Sequence, residues 1–311
     1  MFKFEKEQKV FEFGKIKVGG QPGEYPPVLV GTIFYKGHKI VSDDHKGIFD
    51  KDKAEELWKM QQEFSDLTGI PCMLQIVGES SEAMQKYIEW FANVSDAPFL
   101  IDSTDPNVRI AGANFATEIG VHGRAIYNSI NPSLTPQEVE ALRNSKIDSA
   151  IVLAFNPTDN TVKGRLEILQ KGGAGLSKGL LDIAAECGIK RILIDVAATP
   201  LGAGAGATFK SVMAVKAKLG LPAGGAPHNI PSAWPWIKKL KKERKEVFPP
   251  ADIGSNLVMQ ILGADFLLYG PIENAPMIFP STAMVSIVVA EAVSELGISV
   301  QSETHPIKRL V

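Results

Sequence analysis

Cysteine is scarce in this chain: only Cys72 and Cys187 occur among 311 residues. Each lies in an apolar context, and their spacing suits neither a zinc site nor a disulfide framework. A reducing, intracellular setting is the expectation. An excess of one charge is missing too, since 33 basic and 35 acidic residues leave a net charge of −2. Nothing in that balance points to nucleic acid as a partner. No secretory leader is expected, because Met1-Phe-Lys-Phe-Glu-Lys-Glu7 is charged and lacks a continuous apolar core. The longest apolar stretch, around Ala283–Val293, is interrupted by Glu291 and is too short to cross a bilayer. The sequence therefore predicts a cytoplasmic chain with no inserted segment, reaching a membrane only through other proteins.

What is present is a recurrence. Five apolar runs end on an acid or an amide: Pro98–Asp102, Arg124–Asn128, Ala150–Asn156, Arg191–Asp195 and Leu221–Asn229. Continuous apolar runs read as parallel strands covered on both faces by helices. Asp and Asn are poor strand residues, so such endings mark strand mouths, where (β/α)8 barrels place their chemistry. The strand candidates are Val28–Phe34, Cys72–Val77, Pro98–Asp102, Arg124–Asn128, Ala150–Asn156, Arg191–Asp195, Leu221–Gly224 and Asp265–Tyr269. Helical patterns fall between them: Lys51–Leu67 capped by Asp50, Glu82–Asn93 capped by Ser80 or Ser81, and a start at Thr135-Pro136. Others fit Gly179–Cys187, Thr208–Leu219, Ser232–Lys242, Ile253–Leu262 and Ser281–Leu296. The alternation predicts one α/β domain over residues 1–311, a single (β/α)8 TIM barrel. An N-terminal β-hairpin at 1–20 would plug its bottom, the barrel would span 21–297, and 298–311 would form a tail.

Each candidate site residue has an ordinary alternative. Asp102 could cap a helix, but Ser103, Thr104 and Asp105 stand ready to do so before Pro106, which frees Asp102 for a ligand. Asn128 is either a loop tie or an amide that donates and accepts at the edge of a heterocycle. Asp195 precedes the glycine-rich Val196–Gly206 and could instead pair with an arginine of a neighbouring strand. The glycine stretch lacks the lysine and Ser/Thr of a phosphate loop and is expected to clear room for a bulky partner. His228, in a Gly/Pro loop before Asn229, is either structural or a proton donor near neutral pH. His38, His45, Asp43 and Asp44 form a polar cluster without metal-ligand spacing, and no metal is expected. The basic run Lys238–Lys245 reads as a solvated helix face, or as a dock for an acidic partner or anionic headgroups.

Several motifs together resemble the family of the H subunit of tetrahydromethanopterin S-methyltransferase. They are Gly19–Pro26, His38–Ile40, Lys46–Asp50, Phe99–Ser103, Tyr127–Asn131 and Phe266–Asn274. Asp195–Gly202 and Pro250–Asn256 are closer to its archaeal members than to bacterial relatives acting on tetrahydrofolate. The resemblance implies a pterin-binding barrel that moves a methyl group between N5 of methyl-tetrahydromethanopterin and the Co(I) corrinoid (cobalamin) of a partner protein. By position it implies Asp102, Asn128, Asp195 and Asn229 as the pterin grip, with Glu79 a weaker addition and Asn229 the residue at N5. It also implies a homodimer and attachment to the other components of a membrane complex. A tetrahydrofolate-specific enzyme and a non-catalytic module that docks a corrinoid protein are the alternatives.

Overall fold

Eight stretches carry the hydrophobic alternation that closes the barrel. They are Val28–Ile33, Cys72–Val77, Phe99–Asp102, Ala125–Ile130, Ser149–Leu153, Arg191–Asp195, Ala223–Gly225 and Phe266–Pro271. A computed structural model describing residues Met1–Val311 pairs each with its chain neighbour and the last with the first. Every pairing in the barrel is parallel. We call these barrel strands one to eight. All eight strand expectations are met, with boundaries shifted by a residue or a few at the ends.

Side chains alternate across each strand, and the two faces separate into two apolar clusters. Inside the barrel lie Val28, Val30, Met73, Leu100, Ile126, Ile151, Leu193, Phe266 and Leu268. Phe13 and Val18 complete this cluster. They come from the hairpin Val10–Phe13/Ile16–Gly19, which seals the barrel bottom as its sequence suggested. A larger cluster of 51 buried residues fills the layer between sheet and helices. Interior parity then continues upward: Thr32 follows Val30, Gln75 follows Met73, and Asp102, Asn128 and Asp195 follow Leu100, Ile126 and Leu193. Five polar side chains therefore point inward at the C-terminal mouth. Register shifts at Asn128/Ile130 and Leu268/Gly270 bend two strands at this same rim.

Local chemistry sets the helices. Asp50 and Ser80 cap Lys51–Thr68 and Ser81–Val94. Thr135 and Glu138 form a reciprocal capping box ahead of Pro136–Asn144. The helix expected over Ser232–Lys242 is instead two pieces, Asn229–Ser232 and Pro235–Leu240. Trp234 is extended between them, because a residue before proline is pushed out of the helical region. Helices Pro106–Glu118 and Val162–Gln170 were not anticipated, nor was the small sheet Val41–Asp43/Ile48–Phe49. The last long helix, Ala275–Ser294, begins earlier than its sequence suggested, with Pro280 inside it. With the preceding turn, an 18-residue window within Ile272–Ser294 reaches a mean hydropathy of 1.6, but half of that window is packed inside the protein. Gln260 reaches its Thr282 carbonyl and Ser286 hydroxyl, both at 3.0 Å. It is a core helix, and the tail beyond it packs back through Gln301 N–H to Glu24 O at 2.9 Å.

Candidate active site

Asp102 ends barrel strand three, in register with Val77 on one side and Asn128 on the other. The Gln75 amide donates a short hydrogen bond to its Oδ2. Gln75 Oε1 in turn accepts from Thr32 Oγ1 at 2.7 Å. Strands one, two and three are thus linked by one chain of hydrogen bonds that aims the carboxylate. Burial pushes the Asp102 carboxyl up to about 6, opposed by the Gln75 bond and the nearby Arg109 charge. Asp105, not Asp102, caps the following helix, so the capping alternative does not apply to Asp102.

Behind Asp102 sits a buried cluster. Arg109 donates to Ser103 O at 2.5 Å and to Glu138 Oε1 at 2.6 Å, while Tyr127 OH reaches the same Glu138 oxygen at 2.5 Å. Ser103 follows Asp102 and Tyr127 precedes Asn128, so this cluster fixes two mouth segments at once. Asn128 lines a cleft of about 450 Å³ together with Asp102, Arg109, Leu153 and Phe155.

Asp195 ends strand six and is buried. Its Oδ1 accepts the Ala197 N–H at 2.7 Å. Burial lifts this carboxyl to about 6 as well; the Ala197 bond and Arg165 work against the rise, and the Asp102 charge adds to it. Asp195 therefore senses Asp102 across the mouth. Arg165 makes no ion pair; it donates to the Val196 carbonyl, to Ala197 O at 2.8 Å and to Thr199 Oγ1 at 3.3 Å. Arg191, the arginine of the same strand, pairs with Asp148 at 2.5 Å, which leaves Asp195 free of an inter-strand salt bridge. Gly225 is required here, since a β-carbon would stand 2.8 Å from Asp195 Oδ1.

Asn229 is exposed at the first position of the Asn229–Ser232 helix, beyond strand seven. Glu79 is half-buried just past strand two. Both follow the C-terminal ends of their strands and, like Asp195, lie outside the cleft that Asp102 and Asn128 line. His228 Nδ1 lies 2.9 Å from Asp252 Oδ1, and its Nε2 lies 3.1 Å from Ser232 Oγ. The cluster of His38, His45, Asp43 and Asp44 disperses. His38 Nδ1 accepts from Phe34 N–H at 3.1 Å and its Nε2 meets Glu273 at 3.0 Å, while Asp43 closes its own turn onto His45 N–H and Lys46 N–H. No three His, Cys, Asp or Glu side chains converge to hold an ion. In the Val196–Gly206 segment, β-carbons at Gly202 and Gly206 would meet open space, whereas one at Gly204 would stand 3.1 Å from Asn160 Nδ2.

The family model described as tetrahydromethanopterin S-methyltransferase MtrH subunit matches residues 6–301. The chain belongs to this family. It is 57% identical to the H subunit of tetrahydromethanopterin S-methyltransferase from Methanosarcina acetivorans, over 100% of both chains. The corresponding protein of Methanothermobacter marburgensis is 52% identical over 100% of both chains. The H subunit of a putative methyltransferase, mtx, from Methanosarcina mazei is 49% identical, again over 100% of both. The chain is accordingly a methyltransferase subunit. Among solved structures it resembles a Yersinia pestis dihydropteroate synthase (TM-score 0.57, 12% identity, covering 92% of this chain and 100% of that one). A Xanthomonas albilineans dihydropteroate synthase in complex with 7,8-dihydropteroate gives 0.53 at 16% identity, covering 88% and 94%. At such identities the likeness shows the barrel fold alone.

Sequence reasoning missed Gln75, Arg109, Arg165, Tyr127 and Glu138. Gln75 carried a signal: it is polar within Cys72-Met-Leu-Gln-Ile-Val77 and shares the inward parity of Met73. The arginines carried none, because an arginine on an amphipathic helix ordinarily reads as surface.

Proposed function

We propose that this protein transfers a methyl group between N5 of methyl-tetrahydromethanopterin and the Co(I) corrinoid of a partner protein. The observation that carries this reading is the convergence of Asp102, Asn128 and Asp195 on one mouth, with the Asp102 charge close enough to raise the proton affinity of Asp195. A reduced pterin displays an N–H and an exocyclic amine along one edge, which a carboxylate accepts as paired, charge-assisted hydrogen bonds. Asp102 and Asp195 supply such acceptors, and Asn128 supplies a donor for the ring carbonyl or nitrogen. The donor set therefore fits a flat, nitrogen-rich ring.

The corrinoid, brought by its own protein, supplies a Co(I) centre nucleophilic enough to take the methyl without activation by this chain. The chain's part is to hold the ring, align the methyl toward the open mouth and answer the charge that develops at N5. Asn229 stabilises that charge in this reading, and Glu79 contributes at the margin of the ring. Membership of a family named for a pterin methyltransferase favours tetrahydromethanopterin over tetrahydrofolate, and turnover over a docking module without activity.

Two experiments test this. Calorimetry should find binding of methyl-tetrahydromethanopterin well ahead of methyl-tetrahydrofolate, and free cob(I)alamin should lose its Co(I) spectrum when mixed with the protein and the methylated pterin. The opposite preference would make it a tetrahydrofolate enzyme; binding without spectral change would make it the docking module.

The partners proposed are the corrinoid protein, the other components of a methyltransferase complex at the membrane, and a second copy of this chain. We place the chain at the cytoplasmic side, tethered by those components. For the second copy, exposed Val258, Ile261, Met277, Met284 and Val288 form an apolar stripe across two packed helices. Met284→Lys with Val288→Asp should convert a sedimenting dimer to monomer; an unchanged sedimentation coefficient would place the interface elsewhere.

A further inference from the structure

Beyond strand seven, four side chains from three elements form one hydrogen-bonded line. Ser232 Oγ lies 3.1 Å from His228 Nε2, His228 Nδ1 lies 2.9 Å from Asp252 Oδ1, and Asn274 Nδ2 donates to Asp252 Oδ2 at 3.3 Å. The imidazole rests on Gly270 at the end of strand eight, where a β-carbon would stand 2.5 Å from its Cγ. Only glycine leaves that space. Asp252 is an acceptor when ionised, so Nδ1 carries a proton and Nε2 faces the serine. Asp252 is the charged group packed directly on the ring; Ser232 and Asn274 are neutral. Phe248 meets the imidazole edge-on at 6.0 Å, with Lys241 Nζ 4.5 Å above that phenyl ring. Both ring nitrogens are engaged, so when the ring is doubly protonated its Nε2 proton is directed at Ser232, which is only half-buried. The next residue in the chain is Asn229.

Resting on the methyl-transfer reading, we infer that Ser232, His228 and Asp252 form the relay that protonates the leaving amine. As the N5–methyl bond breaks, its electron pair stays on N5, and the carbon gains its new bond from the Co(I) electron pair. N5 takes the proton of Ser232 Oγ, and the serine is restored by the proton on His228 Nε2. Asp252 stabilises the imidazolium beforehand, and solvent recharges it afterward. Transfer in the other direction runs the same protons backward. His228 and Asp252 are positioning residues, since they act through Ser232.

The test is single-turnover methyl transfer to free cob(I)alamin, beside calorimetric binding of methyl-tetrahydromethanopterin. His228→Gln should slow transfer by about 10²–10⁴-fold with pterin affinity unchanged. Ser232→Ala should slow transfer similarly, and Asp252→Asn should slow it too, because the imidazolium loses the carboxylate that stabilises it. His228→Asn keeps a donor toward Asp252 but carries no transferable proton. It would restore a merely structural tie, yet should remain slow here. A wild-type rate in His228→Gln would overturn the relay alone. A wild-type protein that transfers no methyl would instead sink the function on which the relay rests.

Discussion

The two halves of the barrel mouth are backed by different basic side chains. On strands three to six, Arg109 and Arg165 lie buried behind Asp102 and Asp195, each holding the carbonyl of the residue that follows its aspartate. On strands seven, eight and one, histidines take that place: His228 against Asp252, and His38 against Glu273. A guanidinium keeps its charge at every accessible pH, whereas an imidazole can both give and take a proton. The first half suits holding a ring in one geometry, and the second suits moving a proton. Even the arginines differ. Arg109 is neutralised by Glu138 at 2.6 Å, while Arg165 meets only carbonyls and a hydroxyl.

That difference sets the largest expected effect. Arg109→Met leaves Glu138 buried without its partner, and breaking such a pair costs about 3–5 kcal/mol of stability. Arg165→Met uncovers carbonyls rather than a charge, at roughly 1–3 kcal/mol, but it removes the cation that opposes the rise at Asp195. Urea titration at pH 7 measures both. Equal losses would erase the distinction between a paired and an unpaired arginine.

Next come the carboxylates themselves. Asp102→Ala and Asp195→Ala each delete hydrogen bonds to a charged group, worth about 1.5–3 kcal/mol, or about 10–100-fold in pterin affinity by calorimetry. Unchanged affinity in both would dissolve the gripping half. Because both carboxyls are raised to about 6, wild-type affinity should fall as pH drops through 6, where the acceptors become protonated. In Arg165→Met that fall should begin at higher pH.

The same shift has a cost for the fold. Asp195 stands at about 6 against an ordinary value of 3.8, so the folded state binds its proton more tightly than the unfolded chain. Stability from this group is therefore highest at low pH and declines as pH rises between those values. At pH 8 the buried charge costs up to about 3 kcal/mol. Asp195→Asn keeps an acceptor for Ala197 N–H and should raise Tm at pH 8, with the gain gone by about pH 4. A gain that is equal at both pH values would trace the effect to packing instead.

The inward-facing carboxylates and amide of strands three, four and six were largely legible in the sequence. Alternation from Leu100, Ile126 and Leu193 sends Asp102, Asn128 and Asp195 inward, and nothing in the tertiary structure overrides that parity. The rest of the site is built from contacts far apart in the chain, such as Arg109 with Glu138 or His228 with Asp252. No local pattern announces such pairs. His228 stayed ambiguous because its partner Asp252 arrives from a helix whose start at Phe248 lies upstream of the Ile253 expected from periodicity. Trp234-Pro235 broke another expected helix and delivered Ser232 to the end of a short turn.

The smallest effect tests where the halves meet. Asn229 is exposed, and replacing such a residue ordinarily changes stability by no more than about 0.5 kcal/mol. If the strand-three-to-six carboxylates carry the grip, Asn229→Ala should also leave pterin affinity within about threefold, since two charge-assisted contacts remain. Its effect should fall on the transfer step, where a donor near N5 matters only as charge develops. Calorimetry and single-turnover kinetics on the same preparation separate the two. Should Asn229→Ala weaken binding as much as Asp195→Ala, Asn229 belongs with the carboxylates, and the boundary between holding the ring and protonating it lies at Ser232 instead.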